Sequence, residues 1–181
     1  MRPARAPVRA AQGSILCHAR VETPLGQLVL SAREDAIVRI AWASAAAESA
    51  DAPGANALLR RATHQLGEYF AGRRRAFELA LDPPGTPFQR RVWAEMAKIP
   101  WGETATYGDL ARRLGSAARP VGQACGANPI PILIPCHRVL AGDGGLGGYS
   151  GGAGPATKAA LLALEGARAA TPHLFAAPPG K

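Results

Sequence analysis

The stretch Asn128-Pro129-Ile130-Pro131-Ile132-Leu133-Ile134-Pro135-Cys136-His137-Arg138-Val139 decides how this chain is read. Its apolar run, residues 130–134, reads as a strand, and Pro135 as the residue that turns the chain out of the sheet. A strand would hold rigidly the three residues after Pro135, a thiol, an imidazole and a guanidinium in succession. The thiolate is the nucleophilic form of cysteine, and a positive neighbourhood, to which Arg138 contributes, favours it. Histidine is the side chain best tuned to accept a proton near pH 7. It needs an orienting partner, and Glu165 is the only acid in the helix expected to close the chain. A Cys136–His137–Glu165 relay is therefore available. The plain alternative is an inert buried Cys beside a core His, the reading given to Cys17 and Cys125. Spacing alone leaves the activated thiol open to hydrolysis or redox sensing.

Working outward, Asp82-Pro83-Pro84-Gly85 reads as a stiff linker and a domain boundary. Thr86 then caps a helix, with Pro87 at its first position and Gln89 completing a capping box. Phe88, Val92, Trp93 and Met96 share one face, and the helix stops at Pro100. Thr106 and Asp109 start another, with Leu110, Ala111 and Leu114 apolar and Gly115 at its end. Arg119-Pro120 opens the next. A residue before proline is disfavoured in the right-handed helical region, so Arg119 is expected at the helix mouth, projecting outward. Val121, Ala124 and Cys125 form that helix's buried stripe. Helix, short glycine turn, helix is a helix-turn-helix pattern, although many such corners bind nothing. Tyr107 could meet a phosphate, stack on a base or be a half-buried core aromatic. Asn128 could brace the turn before Pro129 or simply end a helix.

Before the linker, strands are expected around residues 15–21, 27–31 and 36–42, with Thr23-Pro24-Leu25-Gly26 as a turn. Residues 43–55 read as a loop. Asn56 caps a helix whose apolar face carries Leu58, Leu59, Ala62, Leu66 and Tyr69-Phe70, and Gly72 ends it. Phe77, Leu79 and Leu81 alternate as a last strand, completing a small α/β unit. After Cys136, eight of the thirteen residues 142–154 are glycine, with Tyr149-Ser150 among them. This is a flexible linker or a backbone that must approach a flat ligand closely. A final helix spans residues 157–165, with Leu161, Leu162 and Leu164 apolar. Residues 1–13 and 168–181 read as disordered tails.

Composition narrows the classes. The 181 residues suffice for one medium domain or two small ones, and 48% hydrophobic with 19% charged residues is a folded composition. The net charge is +8 and the pI about 10.3. Residues 14–84 are net neutral and residues 85–167 carry net +3, so the excess lies in the tails and in the half containing Cys136. That fits a polyanionic partner, or simply a basic soluble protein. Three scattered cysteines are no disulfide framework, and no Cys/His spacing suits zinc. No run of about 20 apolar residues exists to span a bilayer. The basic start lacks an apolar signal region, so a cytoplasmic location is expected.

Taken together, Pro135-Cys136-His137-Arg138-Val139, Asn128 before it, Arg119 at a helix start and Tyr149-Ser150-Gly151-Gly152 after it resemble one family, the O6-alkylguanine-DNA alkyltransferases (methylated-DNA–protein-cysteine methyltransferases). The resemblance is strongest over about residues 86–166, and Thr23-Pro24-Leu25-Gly26 looks like the family's first turn. It implies an α+β protein. A small ribonuclease H-like N-terminal α/β domain, residues 14–82, would precede a mostly helical, winged helix-turn-helix-like domain, residues 86–167. It also implies transfer of an alkyl group from O6 of guanine, and more weakly O4 of thymine, in duplex DNA to Cys136, once per molecule. By the same resemblance His137 would take the thiol proton through a water, Glu165 would orient His137, and Asn128 would brace the turn. Tyr107 would press on the target phosphate and Arg119 fill the gap left by a flipped base. Tyr149 and Ser150 would line the pocket, and the carbonyls of Cys136 and Val139 would accept from the guanine amino group. The recognition helix would lie in the minor groove, where spacing alone suggests the major. Arg138 would serve packing rather than thiol activation. No cofactor or metal, and a monomer, are expected. Pro120 after the arginine departs from the family's usual alanine. A DNA-binding regulator without transfer chemistry and a Cys–His hydrolase are the competing readings.

Overall fold

The computed structural model describes residues 16–43 and 56–167. The expected tails, and most of the expected loop at 43–55, lie outside the described residues. Three antiparallel strands come first: β1 (Leu16–Val21), β2 (Leu28–Arg33) and β3 (Ala36–Trp42), in the order β1-β2-β3. Gly26 adopts φ 101°, and its N–H donates to the Thr23 carbonyl at 3.1 Å, closing the first turn. Leu28 and Leu30 point to one face of the pleat and are fully buried. Helix α1 (Ala57–Phe70) covers that sheet with Leu59, Ala62, Leu66 and Tyr69. Its start is the Asn56 side chain, which accepts from the Leu59 N–H at 2.9 Å.

The strand expected at residues 77–81 is not formed. Only Leu81 bridges to Ile37, through two bonds made by the Ile37 N–H and carbonyl. The Glu78 N–H is taken by the Gln65 side chain at 2.9 Å, and Pro83 and Pro84 carry no N–H to continue a ladder. The freed edge of β3 has another use: the Ile40 N–H donates to the Pro129 carbonyl at 2.9 Å. The first sheet thus holds the loop that precedes Cys136.

Helix α2 (Pro87–Ala97) begins with a complete Thr86–Gln89 capping box, and α3 (Tyr107–Leu114) with a Thr106–Asp109 box. Gly115, at φ 59°, ends α3 in the left-handed conformation and sets up α4 (Ala118–Gly126). The three helices share one core of Val92, Trp93, Met96, Leu110, Val121 and Cys125. The Trp93 indole donates to the Ala124 carbonyl at 2.8 Å, fixing α4 on α2. Arg119 stands at the mouth of α4 and is exposed, in keeping with expectation, and it is itself the second helical residue although a residue before proline is disfavoured there. Pro120 is tolerated there because the first-turn N–H groups have no intrahelical acceptor to lose.

The largest correction falls on residues 130–134. They form no strand but a tight buried loop, closed by the Ile134 N–H on the Ile130 carbonyl at 2.9 Å. Prolines 129, 131 and 135 leave too few donors for a ladder. Ile132 sits at φ 75°, a strained value for a β-branched residue, costing about 1–3 kcal/mol. Burial of Ile130, Ile132 and Ile134 to 3% exposure or less offsets that cost. Cys136–Arg138 then make one 3-10 turn, and β5 (Val139–Leu140) pairs in parallel with β4 (Ala105–Thr106). Helix α5 (Pro155–Leu164) packs against the turn.

Candidate active site

Cys136 opens the 3-10 turn, half-buried, beside a cavity of about 390 Å3. Asn128, Pro131, Tyr149 and Ser150 line the cavity with it, as does Trp42 from β3. Asn128 spans the loop: its Nδ2 donates to the Ile134 carbonyl at 2.8 Å and its Oδ1 accepts from the Ile130 N–H at 3.0 Å. Burial pushes the Cys136 thiol up, and the Asn128 side chain, the Lys158 ammonium and the Tyr149 hydroxyl pull it back. Cys125 is pushed up to about 12 by burial and donates to the Met96 sulfur in the core.

His137 is completely buried. Its Nε2 lies 2.8 Å from Glu165 Oε1. A carboxylate only accepts, so Nε2 carries the proton and Nδ1 is a bare lone pair. That Nδ1 is buried without a hydrogen-bond partner. Burial lowers the His137 pKa against the pull of Glu165, so the ring is neutral and able to take a proton. Glu165, the residue that ends α5, gathers four donors: His137 Nε2, Arg138 Nε at 2.8 Å, Arg138 Nη2 at 2.9 Å and the Tyr69 hydroxyl at 2.7 Å. Burial alone would raise this carboxyl, but the hydrogen bonds from His137 and Arg138 hold it down to about 2. Arg138 therefore faces Glu165 and the Ile99 carbonyl, not the thiol, which corrects the placement of its charge beside Cys136.

This network makes the fold acid-sensitive. His137 and Glu165 both bind protons less readily when folded than when unfolded, so lowering the pH favours the unfolded chain. The loss begins as the pH falls through about 6.5 for His137 and continues from about 4.5 to about 2 for Glu165. For Glu165 it amounts to about 3 kcal/mol. Urea midpoints at pH 7, 5 and 3 should fall in that order, with the last step flattened in Glu165→Gln. Equal steps in both proteins would disprove the assignment.

The remaining candidates are spread more widely. Tyr107, the first residue of α3, is half-buried against Gly122 and Gly147, and Lys158 Nζ stands 6.0 Å from its ring. Ser150 Oγ donates to the Gly126 carbonyl at 3.3 Å. The Val139 carbonyl accepts from Lys158 Nζ at 2.6 Å, and the Cys136 carbonyl from the Val139 N–H. Arg119 is exposed on α4 and does not line the cavity.

The same division runs through the comparisons with known proteins. Residues 16–83 match "6-O-methylguanine DNA methyltransferase, ribonuclease-like domain", and residues 87–167 match "6-O-methylguanine DNA methyltransferase, DNA binding domain". The constitutive methylated-DNA–protein-cysteine methyltransferase of Bacillus subtilis is 42% identical over 154 residues, covering 80% of this chain and 92% of that protein. The chain belongs to the methylated-DNA–protein-cysteine methyltransferase family. A family member from Mycolicibacterium paratuberculosis is 43% identical over 152 residues, covering 80% of this chain and 89% of its own. The crystal structure of Mycobacterium tuberculosis O6-methylguanine methyltransferase superposes with a TM-score of 0.73 at 37% identity, covering 84% of this chain and 93% of that one. A structure of the same enzyme in complex with DNA gives 0.73 at 39% identity, covering 82% and 92%. The α+β class, with a ribonuclease-like domain before a DNA-binding one, is thereby established for this methyltransferase family member.

Three residues of the site escape sequence reading. Lys158 is fully buried, donating to the Val139 and Leu146 carbonyls. Its signal is position: Lys158, Leu161, Leu162 and Glu165 fall on one buried helical stripe, where a lysine needs a reason. Tyr69 sits likewise on the buried stripe of α1, where an aromatic passes for core. Trp42 ends a strand and carries no motif. Among the described residues, no helix is long and apolar enough to cross a membrane.

Proposed function

We propose that this protein repairs duplex DNA by moving the alkyl group of O6-alkylguanine, and more weakly O4-alkylthymine, irreversibly onto Cys136. It acts once, as a methylated-DNA–[protein]-cysteine S-methyltransferase. The observation that carries this reading is a thiol at a cavity, next to a neutral imidazole whose bare Nδ1 is buried and whose Nε2–H is fixed by Glu165. In the reaction His137 receives the thiol proton through a water. The Cys136 sulfur forms a bond to the alkyl carbon as the bond from that carbon to O6 breaks. The electron pair stays on the base, which leaves as guanine after taking up a proton, with Tyr107 as hydrogen-bond donor. No other reactant is needed, and a thioether has no route back to thiol, so turnover stops at one.

The lesion must leave the base stack to reach a half-buried sulfur at the cavity. Tyr107 presses on the target phosphate, Arg119 fills the vacated stack, and the α3–α4 unit lies in the minor groove. Tyr149, Ser150 and the carbonyls of Cys136 and Val139 hold the flipped base. The net +3 of residues 85–167 supports a phosphate-backbone partner. The protein works as a cytoplasmic monomer, with domain limits at residues 14–82 and 86–167.

Incubation with O6-methylguanine DNA should add one methyl mass, stoichiometrically, to the peptide containing Cys136. A protein that never gains it, or that turns over repeatedly on an ester, is not this enzyme. Arg119→Ala should slow repair of a duplex lesion by about 10- to 100-fold, the loss of a few kcal/mol of unstacking compensation. It should change reaction with free O6-benzylguanine far less. Equal losses on both substrates would remove Arg119 from the flipping step.

A further inference from the structure

The cavity at Cys136 has one wall that the transfer chemistry does not use. Trp42, the last residue of β3, comes from the first half of the chain and lines the cavity alongside Tyr149, Gly151 and Gly152. Its indole is fixed on three sides. The Nε1–H donates to the Leu25 carbonyl at 3.0 Å. The Tyr149 ring meets it edge to face, with centroids 6.3 Å apart and planes at 80°. The glycine loop closes the third side: a Cβ on Gly151 would stand 2.5 Å from the Trp42 ring, and one on Gly152 3.0 Å from its Nε1. The two glycines make room for the indole, and the indole takes the space their side chains would have filled. Neither side has slack.

We propose that Trp42 is a specificity-determining residue, an anchored aromatic wall that sets the largest O6-alkyl group able to present its carbon to Cys136. The proposal rests on the alkyl-transfer reading above. In a displacement the attacked carbon lies in line between the sulfur and the leaving oxygen, so the rest of the alkyl group must extend sideways into the cavity. A cavity of about 390 Å3 has to hold the base as well as that group. A methyl group needs no further room. A benzyl group adds a ring, and a wall hydrogen-bonded at one edge and packed at two others does not move aside. Crowding of that order changes a rate by about tenfold or more.

The test is a competition. The full-length protein, Trp42→Leu and Trp42→Phe each meet an equimolar mixture of duplexes carrying O6-methylguanine and O6-benzylguanine, and mass spectrometry of the Cys136 peptide gives the benzyl-to-methyl adduct ratio. The ratio is expected to rise about tenfold in Trp42→Leu and by a smaller step in Trp42→Phe. Because the readout is a ratio, a general loss of rate does not imitate it. Trp42→Phe keeps a ring against Tyr149 and carries the test alone should Trp42→Leu fail to fold. A ratio that stays unchanged or falls in the folded variants overturns the proposal. An unsubstituted protein that takes up neither group refutes alkyl transfer itself, a different result from an unchanged ratio.

Discussion

Cys136→Ala is expected to abolish alkyl transfer completely while the protein still binds duplex DNA. No other described cysteine can take over. Cys125 is held in the core against Met96 with its thiol pushed up to about 12, and Cys17 lies on β1. In the proposed function the electrostatic part of DNA binding would rest on basic side chains away from the thiol, such as Arg112, Arg113 and Arg119, which are exposed on α3 and α4. Mass spectrometry after incubation with lesion DNA should show no adduct, and a gel-shift titration should show a retained affinity that weakens with salt. An adduct on any other residue would mean that the acceptor has been misassigned.

Glu165→Ala should have the largest effect on stability, about 3–5 kcal/mol, comparable with the whole margin of a weakly stable domain. Removing this carboxylate strands three side chains at once. The Arg138 guanidinium, only 6% exposed, would keep its charge with no anion beside it. The Tyr69 hydroxyl and His137 Nε2–H would lose their acceptor, and His137 its tautomer and orientation. Transfer should therefore fall together with stability. Urea unfolding measures the first loss, and the rate of methyl uptake at a temperature where the variant is folded measures the second. Adding Arg138→Ala to Glu165→Ala should recover part of the stability, because the unpaired charge goes too. Strictly additive losses would show that the two side chains are not coupled.

Much of this was legible in the sequence because it depends on local rules. The Thr86–Gln89 and Thr106–Asp109 boxes, the Asn56 cap and the glycine end at Gly115 are each decided within a few residues, and the helices begin and end close to where those signals put them. The run at residues 130–134 misled for a corresponding reason. Five apolar residues look alike whether they enter a ladder or a buried loop, and only the count of missing proline N–H groups argues for the loop. Phe77, Leu79 and Leu81 alternate as a strand does, but their would-be ladder is interrupted by the Gln65 side chain, which reaches in from α1. At the site, Cys136, His137 and Glu165 could be named from chemistry alone. Arg138 could not be aimed, since adjacency to Cys136 in the chain says nothing about which side of a 3-10 turn a side chain takes. Lys158, Tyr69 and Trp42 act through distance, and each looks like an ordinary helix or strand residue until the chain is folded around it.

The hydrogen bond from Tyr69 to Glu165 joins residues 96 positions apart. Its donor belongs to the helix that covers the first sheet, and its acceptor belongs to the relay behind the thiol. The setting of the imidazole thus draws on both halves of the chain: Cys136, His137 and Glu165 all lie in the second, but a first half that has not docked leaves the carboxylate one donor short.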